Sequence, residues 1–271
     1  MGFRAYLRML RIPHTLFSLP FAYVGALSSG LRDPVDAVMI AVALFSARSV
    51  AIMSNDFFDR HLDALNPRTS KRPLVTGEAD PNVVAFLIAF FSLLFSLSAL
   101  YFNFLCFILS FLILAVELTY PFAKRSHCFP HFHLGAILGF SPLAGAIAVS
   151  GSLERLPWAY SIAIALWVAG FDIVYSIQDI EFDRKQGIRS IPACFGERAA
   201  LISSHAMHLS SFLILLISSV GLISLISSIL FGFLLLLENI IAEIGEYSKA
   251  FDLNIVIGVV AGLGFMLDYV L

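Results

Sequence analysis

Charged residues are scarce in this sequence. Its 17 lysines and arginines and 19 aspartates and glutamates make up 13% of 271 residues, and 59% of the chain is hydrophobic. Soluble domains are roughly 25% charged, so this chain has too much apolar surface for one water-soluble core. A net charge of −2 gives no broad basic surface, which argues against a nucleic-acid partner. The composition is that of a protein of the lipid bilayer.

Cysteine is also rare, which limits redox and metal chemistry. Cys106, Cys128 and Cys194 are widely separated, form no CxxC pair and lie in or beside apolar segments. We expect all three to be small buried hydrophobic residues and predict neither a disulfide framework nor a zinc site. The basic start, MGFRAYLRMLRIPHTLF, lacks the cleavage site of a signal peptide, so we expect the first apolar segment to be retained.

Long apolar blocks make the whole chain, residues 1–271, a single integral membrane domain. Blocks such as LIAFFSLLFSLSALYF are continuously apolar, which is typical of membrane helices and not of barrel strands. We predict an all-α bundle with long polar connections at 60–82, 122–131 and 178–199. Nine membrane helices are expected, at about residues 12–31, 35–55, 83–103, 104–121, 132–151, 157–177, 200–218, 220–240 and 253–270.

The positive charges predict the orientation of this bundle. With the N-terminus in the cytoplasm, only Arg32 and Arg155 of the 17 lysines and arginines lie outside, so 15 lie on the cytoplasmic side. Short cytoplasmic loops carry such an excess in membrane proteins. We therefore predict a multi-pass protein of the inner, cytoplasmic membrane whose long polar loops face the cytoplasm.

Acidic residues collect at the ends of two predicted helices. In SNDFFDRHLD, a spacing of four puts Asn55, Asp59 and Asp63 on one helix face, whereas Asp56 points elsewhere. The second segment is FDIVYSIQDIEFD, whose stripe consists of Asp172, Tyr175, Asp179 and Asp183. Both stripes reach the membrane boundary on the same side.

These two acidic stripes have a structural and a functional interpretation. They are either solvated helix ends that neutralise Arg60, Arg184 and Lys185, or parts of a site, since acids inside a membrane are costly. Two stripes, each followed by a basic loop, favour a metal-bridged phosphate. Mg²⁺ takes one or two protein carboxylates together with phosphate oxygens, and cations bind the oxygens that remain. A diphosphate on a membrane-soluble tail fits this arrangement.

Three motifs carry a resemblance to a known family. NDFFDRHLD (55–63) precedes NPRTSKRPLVTG (66–77), and DIVYSIQDIEFD (172–183) precedes GIRSIPACFG (187–196). Between them lies a YPxxKR element, formed by Tyr120, Pro121, Lys124 and Arg125. In this order and spacing, the motifs resemble those of the UbiA-type membrane prenyltransferases, and the resemblance extends to about residue 200.

The resemblance implies an enzyme that transfers a polyprenyl group from polyprenyl diphosphate to the ring of an aromatic hydroxy acid, with Mg²⁺ as cofactor. The sequence is most similar to the bacterial UbiA-like branch, which includes enzymes for 4-hydroxybenzoate in ubiquinone biosynthesis and for hydroxynaphthoates in menaquinone biosynthesis. Asp56 stands where an arginine is common in the naphthoate group. Both acceptors therefore stay open.

The same resemblance assigns the metal and diphosphate residues. One Mg²⁺ is expected on Asn55, Asp59 and Asp63, and the other on Asp179 and Asp183. The diphosphate contacts are expected among Arg68, Lys71, Arg72, Lys124 and Arg125. Individual loop arginines have the alternative role of topogenic charges that face lipid headgroups.

The remaining roles concern the reacting carbon atoms and the acceptor. Tyr120 and Tyr175 are expected to face the allylic cation, with a place in the interfacial tyrosine belt as the alternative for Tyr120. Arg11 and Arg48 are the cations for an acceptor carboxylate; the alternative for Arg48 is a salt bridge to Asp59 or Asp172. Asp172 either takes a proton from the acceptor or orients Tyr175 or Arg48.

Two further polar groups receive structural interpretations. Glu117 is interpreted as a partner of Lys124, and the cluster of His127, His131 and His133 as interfacial histidines.

A transporter or channel is the hypothesis from another class, because intramembrane acids also line ion pathways. It predicts charges throughout the membrane depth, whereas here they collect at one face. Predicted helices 1–3 and 5–7 also echo each other, which suits a site between two carboxylate helices.

Overall fold

The computed structural model describes residues 2–12 and 17–270. Within them the chain is predominantly helical, and a 3₁₀ turn, Ile177–Asp179, joins two of the helices. In chain order the helices are α1 (Phe3–Leu10), α2 (Leu19–Ser28), α3 (Pro34–Leu65), α4 (Pro73–Thr76), α5 (Pro81–Phe102), α6 (Phe104–Ser126), α7 (Pro130–Ser150), α8 (Trp158–Ser176), α9 (Ile180–Gln186), α10 (Ile191–Phe195), α11 (Glu197–Ile217), α12 (Leu222–Glu243) and α13 (Tyr247–Val270).

The predicted all-α membrane bundle is confirmed, and the predicted count of nine helices is approximate. Among the described residues, eight segments are long and apolar enough to span a membrane: α3, α5, α6, α7, α8 continued by α9, α11, α12 and α13. The first predicted segment, 12–31, corresponds to the ten-residue apolar helix α2. Residues 13–16, near its start, lie outside the described part of the chain.

Polar caps begin several of these helices. Asp33 accepts a hydrogen bond from the Val35 amide at 2.7 Å, and Asn103 accepts one from the Cys106 amide at 2.8 Å. Such caps satisfy amides that have no partner in the first turn. Helix α3 ends at Leu65, so it continues beyond the apolar segment predicted at 35–55 and includes the whole stripe from Asn55 to Asp63. The apolar run marks the membrane thickness, and the helix continues past it because its acidic side chains form ion pairs with basic side chains of neighbouring segments.

The centre of the bundle is held by close contacts between small residues. A Cβ atom at Gly25 would collide with the carbonyl of Pro142, and one at Gly145 would collide with the carbonyl of Ala22. Helices in membranes associate through such small residues, because lipid provides no hydrophobic driving force between them. Helices α2 and α7 are therefore packed backbone to backbone.

Aromatic packing completes the core around α8. The Trp167 ring lies edge-on to the rings of Phe21 and Phe231, with 5.7 Å between ring centroids in each pair. By contrast, α5 and α6 turn large apolar side chains outward, including Phe86 and Phe111. Most of the phenylalanines on these two helices are thus available to contact lipid.

The two acidic segments are followed by matching local structures. After α3, the chain forms the short helix α4 and turns at Gly77, whose φ is 76°, before α5 begins. After α9, it forms the short helix α10 and turns at Gly196, with φ 89°, before α11 begins. A positive φ is least strained in glycine. This similarity supports the predicted echo between the two parts of the sequence.

The prediction that the cysteines form no disulfide is wrong. Cys128, just before α7, is bonded to Cys194 in α10, with 6.1 Å between their Cα atoms. The two residues are 66 positions apart, and their pairing depends on how the loops fold together. Cys106 is free and half-buried, as small hydrophobic cysteines often are.

Replacing Gly145 by valine tests the close contact between α2 and α7. The added side chain has to displace the Ala22 carbonyl, so we expect destabilisation by about 1–3 kcal/mol and a lower Tm in detergent. The control is Ala144→Val, at the next residue, which is exposed. Equal Tm values for the two variants would contradict this packing.

Candidate functional site

The three long polar connections meet at one end of the bundle, where they enclose a cavity of about 180 Å³. Both acidic stripes line it: Asn55, Asp59, Asp63, Asp172, Tyr175, Asp179 and Asp183. Tyr120, Lys124, Arg68 and Arg72 line it as well. Residues from three separate regions of the sequence, 55–72, 120–131 and 172–190, thus share one small polar space.

The first acidic stripe is neutralised by cations from the last turn of α6 and from the loop after α3. Asp59, which is 1% exposed, accepts hydrogen bonds from Lys124 Nζ and, at 3.2 Å, from Arg125 Nη2. Asp63 accepts one from Arg72 Nη1 at 2.6 Å. These ion pairs fix both the carboxylates and the cations before any ligand arrives.

Arg68 plays the corresponding part at the second stripe. Its Nη2 is 2.6 Å from Asp179 Oδ2, and its Nη1 donates to the Tyr175 hydroxyl at 2.7 Å. Burial opposes the charged form, but the hydrogen bonds to Asp179 and the charge of that carboxylate, together with Tyr175 and Asp63, raise the pKa of Arg68 above its ordinary value. Asn66, which the sequence analysis missed, also donates to Asp179, at 2.9 Å. The loop after α3 thereby joins the two stripes.

The donor set fits a hard cation held together with a phosphate. Asn55 Oδ1 is buried and has no hydrogen-bond partner among the described residues, although Asn55 lines the cavity. Within residues 2–12 and 17–270, no three acidic, histidine or cysteine side chains form a ready-made metal site. Mg²⁺ does not require one, because substrate oxygens and water supply much of its coordination shell.

A second cavity, of about 190 Å³, continues from the first towards the apolar interior. The two share Asn55, Tyr120, Asp172 and Tyr175, and the second is lined further in by Phe17, Phe171 and Phe251. The aromatic rings of Tyr120 and Tyr175 therefore stand where the polar space becomes apolar. Beyond it, an apolar cavity of about 380 Å³ lies between α3, α5, α6 and α7.

The two arginines expected to bind an acceptor line the second cavity, in different electrostatic settings. Arg11 donates to Asp56 at 2.9 Å, so its charge is compensated. Arg48 is 9% exposed, and its Nε has no hydrogen-bond partner in the described part of the structure. Glu117 is the nearby carboxylate whose charge attracts the Arg48 guanidinium.

The salt bridges suggested for Arg48 are replaced by other pairs. Asp59 binds Lys124 and Arg125, and Asp172 binds a histidine. The interpretation of Glu117 as a partner of Lys124 is also wrong. Glu117 lies seven residues before Lys124, about 10 Å deeper along the same helix, where it is buried.

His131 belongs to the site and not to the interface, contrary to prediction. It is 2% exposed, and its Nδ1 lies 2.7 Å from Asp172 Oδ2. The sequence suggested Tyr175 or Arg48 as the partner of Asp172, whereas in the structure the partner is His131. The available signal was Pro130, which starts α7 and so puts His131 in its first turn.

The other expected cations lie at the rim. Lys71 is exposed and does not line the described cavity, whereas Arg125 reaches Asp59 from outside and also donates to the Phe58 carbonyl. Arg189, which the sequence analysis missed, lines the cavity, and its backbone amide donates to the Lys124 carbonyl at 2.7 Å.

Comparison with known proteins connects this geometry to one family. The sequence model of the UbiA prenyltransferase family matches residues 18–244. A 4-hydroxybenzoate octaprenyltransferase of Neisseria meningitidis serogroup B is 32% identical over 208 residues, which are 74% of this chain and 70% of that protein.

Solved structures show the same architecture. A UbiA homolog from Aeropyrum pernix, solved in its apo form, is 41% identical with a TM-score of 0.90, covering 94% of this chain and 98% of that one. A UbiA homolog from Archaeoglobus fulgidus bound to GPP and Mg²⁺ is 21% identical with a TM-score of 0.70, covering 95% and 99%. The second likeness concerns the fold alone.

The disulfide at the rim of the cavity predicts a redox-dependent stability. Cys128→Ser should lower the free energy of unfolding by about 2–4 kcal/mol, and reductant should bring the Tm of the wild type to that of the variant. Cys106→Ser is the control, because Cys106 is free. Mass spectrometry after alkylation counts the free thiols. It is carried out on intact cells as well as on purified protein, because cytosolic thiols are usually reduced. Three alkylated cysteines in oxidised wild type would refute the bond.

Proposed function

The chain belongs to the UbiA prenyltransferase family, and on that premise we propose that it transfers a polyprenyl group from polyprenyl diphosphate to the ring of 4-hydroxybenzoate in ubiquinone biosynthesis. The observation that carries this proposal is the meeting of two acidic stripes and four cationic side chains, Arg68, Arg72, Lys124 and Arg189, around one polar cavity that continues into apolar space. A diphosphate with a long lipid tail has this combination of properties.

We propose that the polar cavity holds the diphosphate. Asn55, Asp59 and Asp63 would hold one Mg²⁺ and Asp179 and Asp183 the other, and the ions would neutralise the charge that develops on the leaving diphosphate. Arg68, Arg72 and Lys124 bind the remaining oxygens. Their ion pairs with the carboxylates keep these cations beside the proposed metal ligands, where the entering diphosphate would take the place of the carboxylates as their partner.

The reaction is an electrophilic substitution at the ring. The allylic C–O bond breaks with both electrons leaving on the diphosphate, and the ring carbon ortho to the hydroxyl forms the new C–C bond. Tyr120 and Tyr175 face the allylic cation and help to keep water from it. The ring carbon then loses its proton, for which Asp172 is the proposed acceptor.

The acceptor is proposed from its carboxylate. Relatives such as the Neisseria protein are named 4-hydroxybenzoate octaprenyltransferases, and an acidic ring needs a cation apart from the diphosphate site. Arg48 suits this role better than Arg11, because Asp56 already neutralises Arg11. A hydroxynaphthoate in the menaquinone pathway is the alternative acceptor, and it is assayed in parallel.

The enzyme is a multi-pass membrane protein, and we propose that it lies in the inner membrane with the polar cavity at the cytoplasmic face. The excess of positive charge on that side supports this orientation. Lys71, exposed at the rim, is free to contact lipid headgroups. The clustering of the cavity charges at one end favours an enzyme over a transporter.

Removing one carboxylate from either stripe tests the metal assignment. Asp59→Ala and Asp179→Ala should each lower kcat by at least about 10²–10³-fold, the effect of losing one group that stabilises developing charge. The assay uses membranes, labelled polyprenyl diphosphate, Mg²⁺ and 4-hydroxybenzoate or hydroxynaphthoates. Asp252→Ala is the control, since Asp252 is exposed on α13. Near-wild-type turnover in either variant would contradict the metal assignment. If the wild-type protein forms no product with any acceptor, the proposed function is wrong.

Replacing Arg48 tests how the acceptor is recognised. Arg48→Ala should raise KM for 4-hydroxybenzoate about 10- to 100-fold, since a hydrogen bond to a charged group contributes about 1.5–3 kcal/mol. KM for the methyl ester, which lacks the charge, should change little, as should KM for the diphosphate. Arg32→Ala, at an exposed position, serves as control. An equal loss for acid and ester would remove the carboxylate role.

A further inference from the structure

His131 connects the site to the segment that closes over it. Its ring is buried in the first turn of α7, with one nitrogen towards Asp172 on α8 and the other towards the start of α10. The Ile191 backbone amide donates to Nε2 at 3.3 Å. A single side chain thus joins three helices beside the proposed reacting groups.

The contact with Ile191 assigns the tautomer of His131. A backbone N–H can only donate a hydrogen bond, so Nε2 has to be the acceptor. In a neutral imidazole the proton then resides on Nδ1, which lies 2.7 Å from Asp172 Oδ2 and donates to it. Because Oδ2 already accepts this hydrogen bond, Oδ1 of the same carboxylate is the oxygen that can take the proton from the acceptor ring.

The segment that carries Ile191 is fixed on both sides of it. Before Ile191, the Arg189 amide donates to the Lys124 carbonyl at 2.7 Å, and Ser190 Oγ donates to Asp183 at 3.3 Å. After it, Cys194 is bonded to Cys128, three residues before His131 in the sequence. The amide that selects the tautomer therefore has little freedom to move.

We propose that His131 is a positioning residue: it holds the Asp172 carboxylate, through the Nδ1–H tautomer selected by the Ile191 amide, in the orientation that accepts the ring proton. The proposal rests on the proposed prenyl transfer and on the role of Asp172 in it. His131 acts through Asp172 and takes part in no bond-making or bond-breaking step of its own. Its loss should slow proton removal and leave binding of the prenyl diphosphate unchanged.

Two substitutions distinguish the effect of the Nδ1–H hydrogen-bond donor of His131 from the effect of its ring volume. His131→Asn keeps an N–H donor near the place of Nδ1, whereas His131→Phe keeps a ring and loses both hydrogen bonds. We expect His131→Phe to lower kcat about 10- to 100-fold with an unchanged KM for the diphosphate, and His131→Asn to stay within about threefold of wild type. His61→Phe, at an exposed position on α3, is the control.

An isotope effect and a double variant distinguish positioning from a general structural role. With 4-hydroxybenzoate deuterated ortho to the hydroxyl, the deuterium isotope effect on kcat should be larger in His131→Phe than in wild type. In an Asp172→Asn background, His131→Phe should cost little more, because its effect passes through Asp172. Should His131→Phe not be recovered folded, His131→Ala takes its place, as it adds no volume.

The outcomes separate this inference from the proposed function. An inactive wild type overturns the function and this inference with it. An active wild type with normal kcat in His131→Phe overturns the inference alone. So do equal losses in the Asn and Phe variants, an unchanged isotope effect, or losses that multiply in the Asp172→Asn background.

Discussion

The ion pairs between the two acidic stripes and the basic loops are the interaction on which this site depends. A carboxylate at the membrane boundary is expensive without a partner. The structure supplies Arg72, nine residues further along the chain, for Asp63, and it supplies Lys124 for Asp59 and Arg68 for Asp179 from distant segments. The last two pairs tie together parts of the chain that are far apart in the sequence. The charges that tie the loops to the helices are the same ones that a metal-bound diphosphate would engage.

A gradient of polarity runs from these pairs into the membrane. The polar cavity passes into one bordered by tyrosine and phenylalanine, and that one lies beside a larger apolar cavity. Cleavage of a prenyl diphosphate needs both ends of this gradient, since the diphosphate requires charge and the allylic cation requires a dry surrounding. Arg48 and Glu117 are buried and line both the tyrosine- and phenylalanine-bordered cavity and the larger apolar cavity. They are the ionisable residues of the site that lie deepest in the membrane part of the bundle.

Local patterns were readable in the sequence because they depend on helix geometry. The four-residue spacing of Asn55, Asp59 and Asp63 predicts a common face, and all three line the cavity. The second stripe keeps a common face although α8 gives way to a 3₁₀ turn at residues 177–179, because the chain continues to wind in the same direction. Pairs between distant segments were not readable: Lys124 and Asp59 are 65 residues apart, and Arg68 and Asp179 are 111 apart.

The sequence by itself determined a helical membrane protein, the two acidic helix ends and the family to which its motifs point, since apolar length and helical period are properties of short segments. Only the tertiary structure decided which cation neutralises which carboxylate, that His131 and not Tyr175 or Arg48 holds Asp172, and that Cys128 meets Cys194. The physical reason is that these contacts depend on how close helices such as α2, α7 and α8 can approach one another. Small residues such as Gly25 and Gly145 set that distance, and their effect appears only when their neighbours are in place.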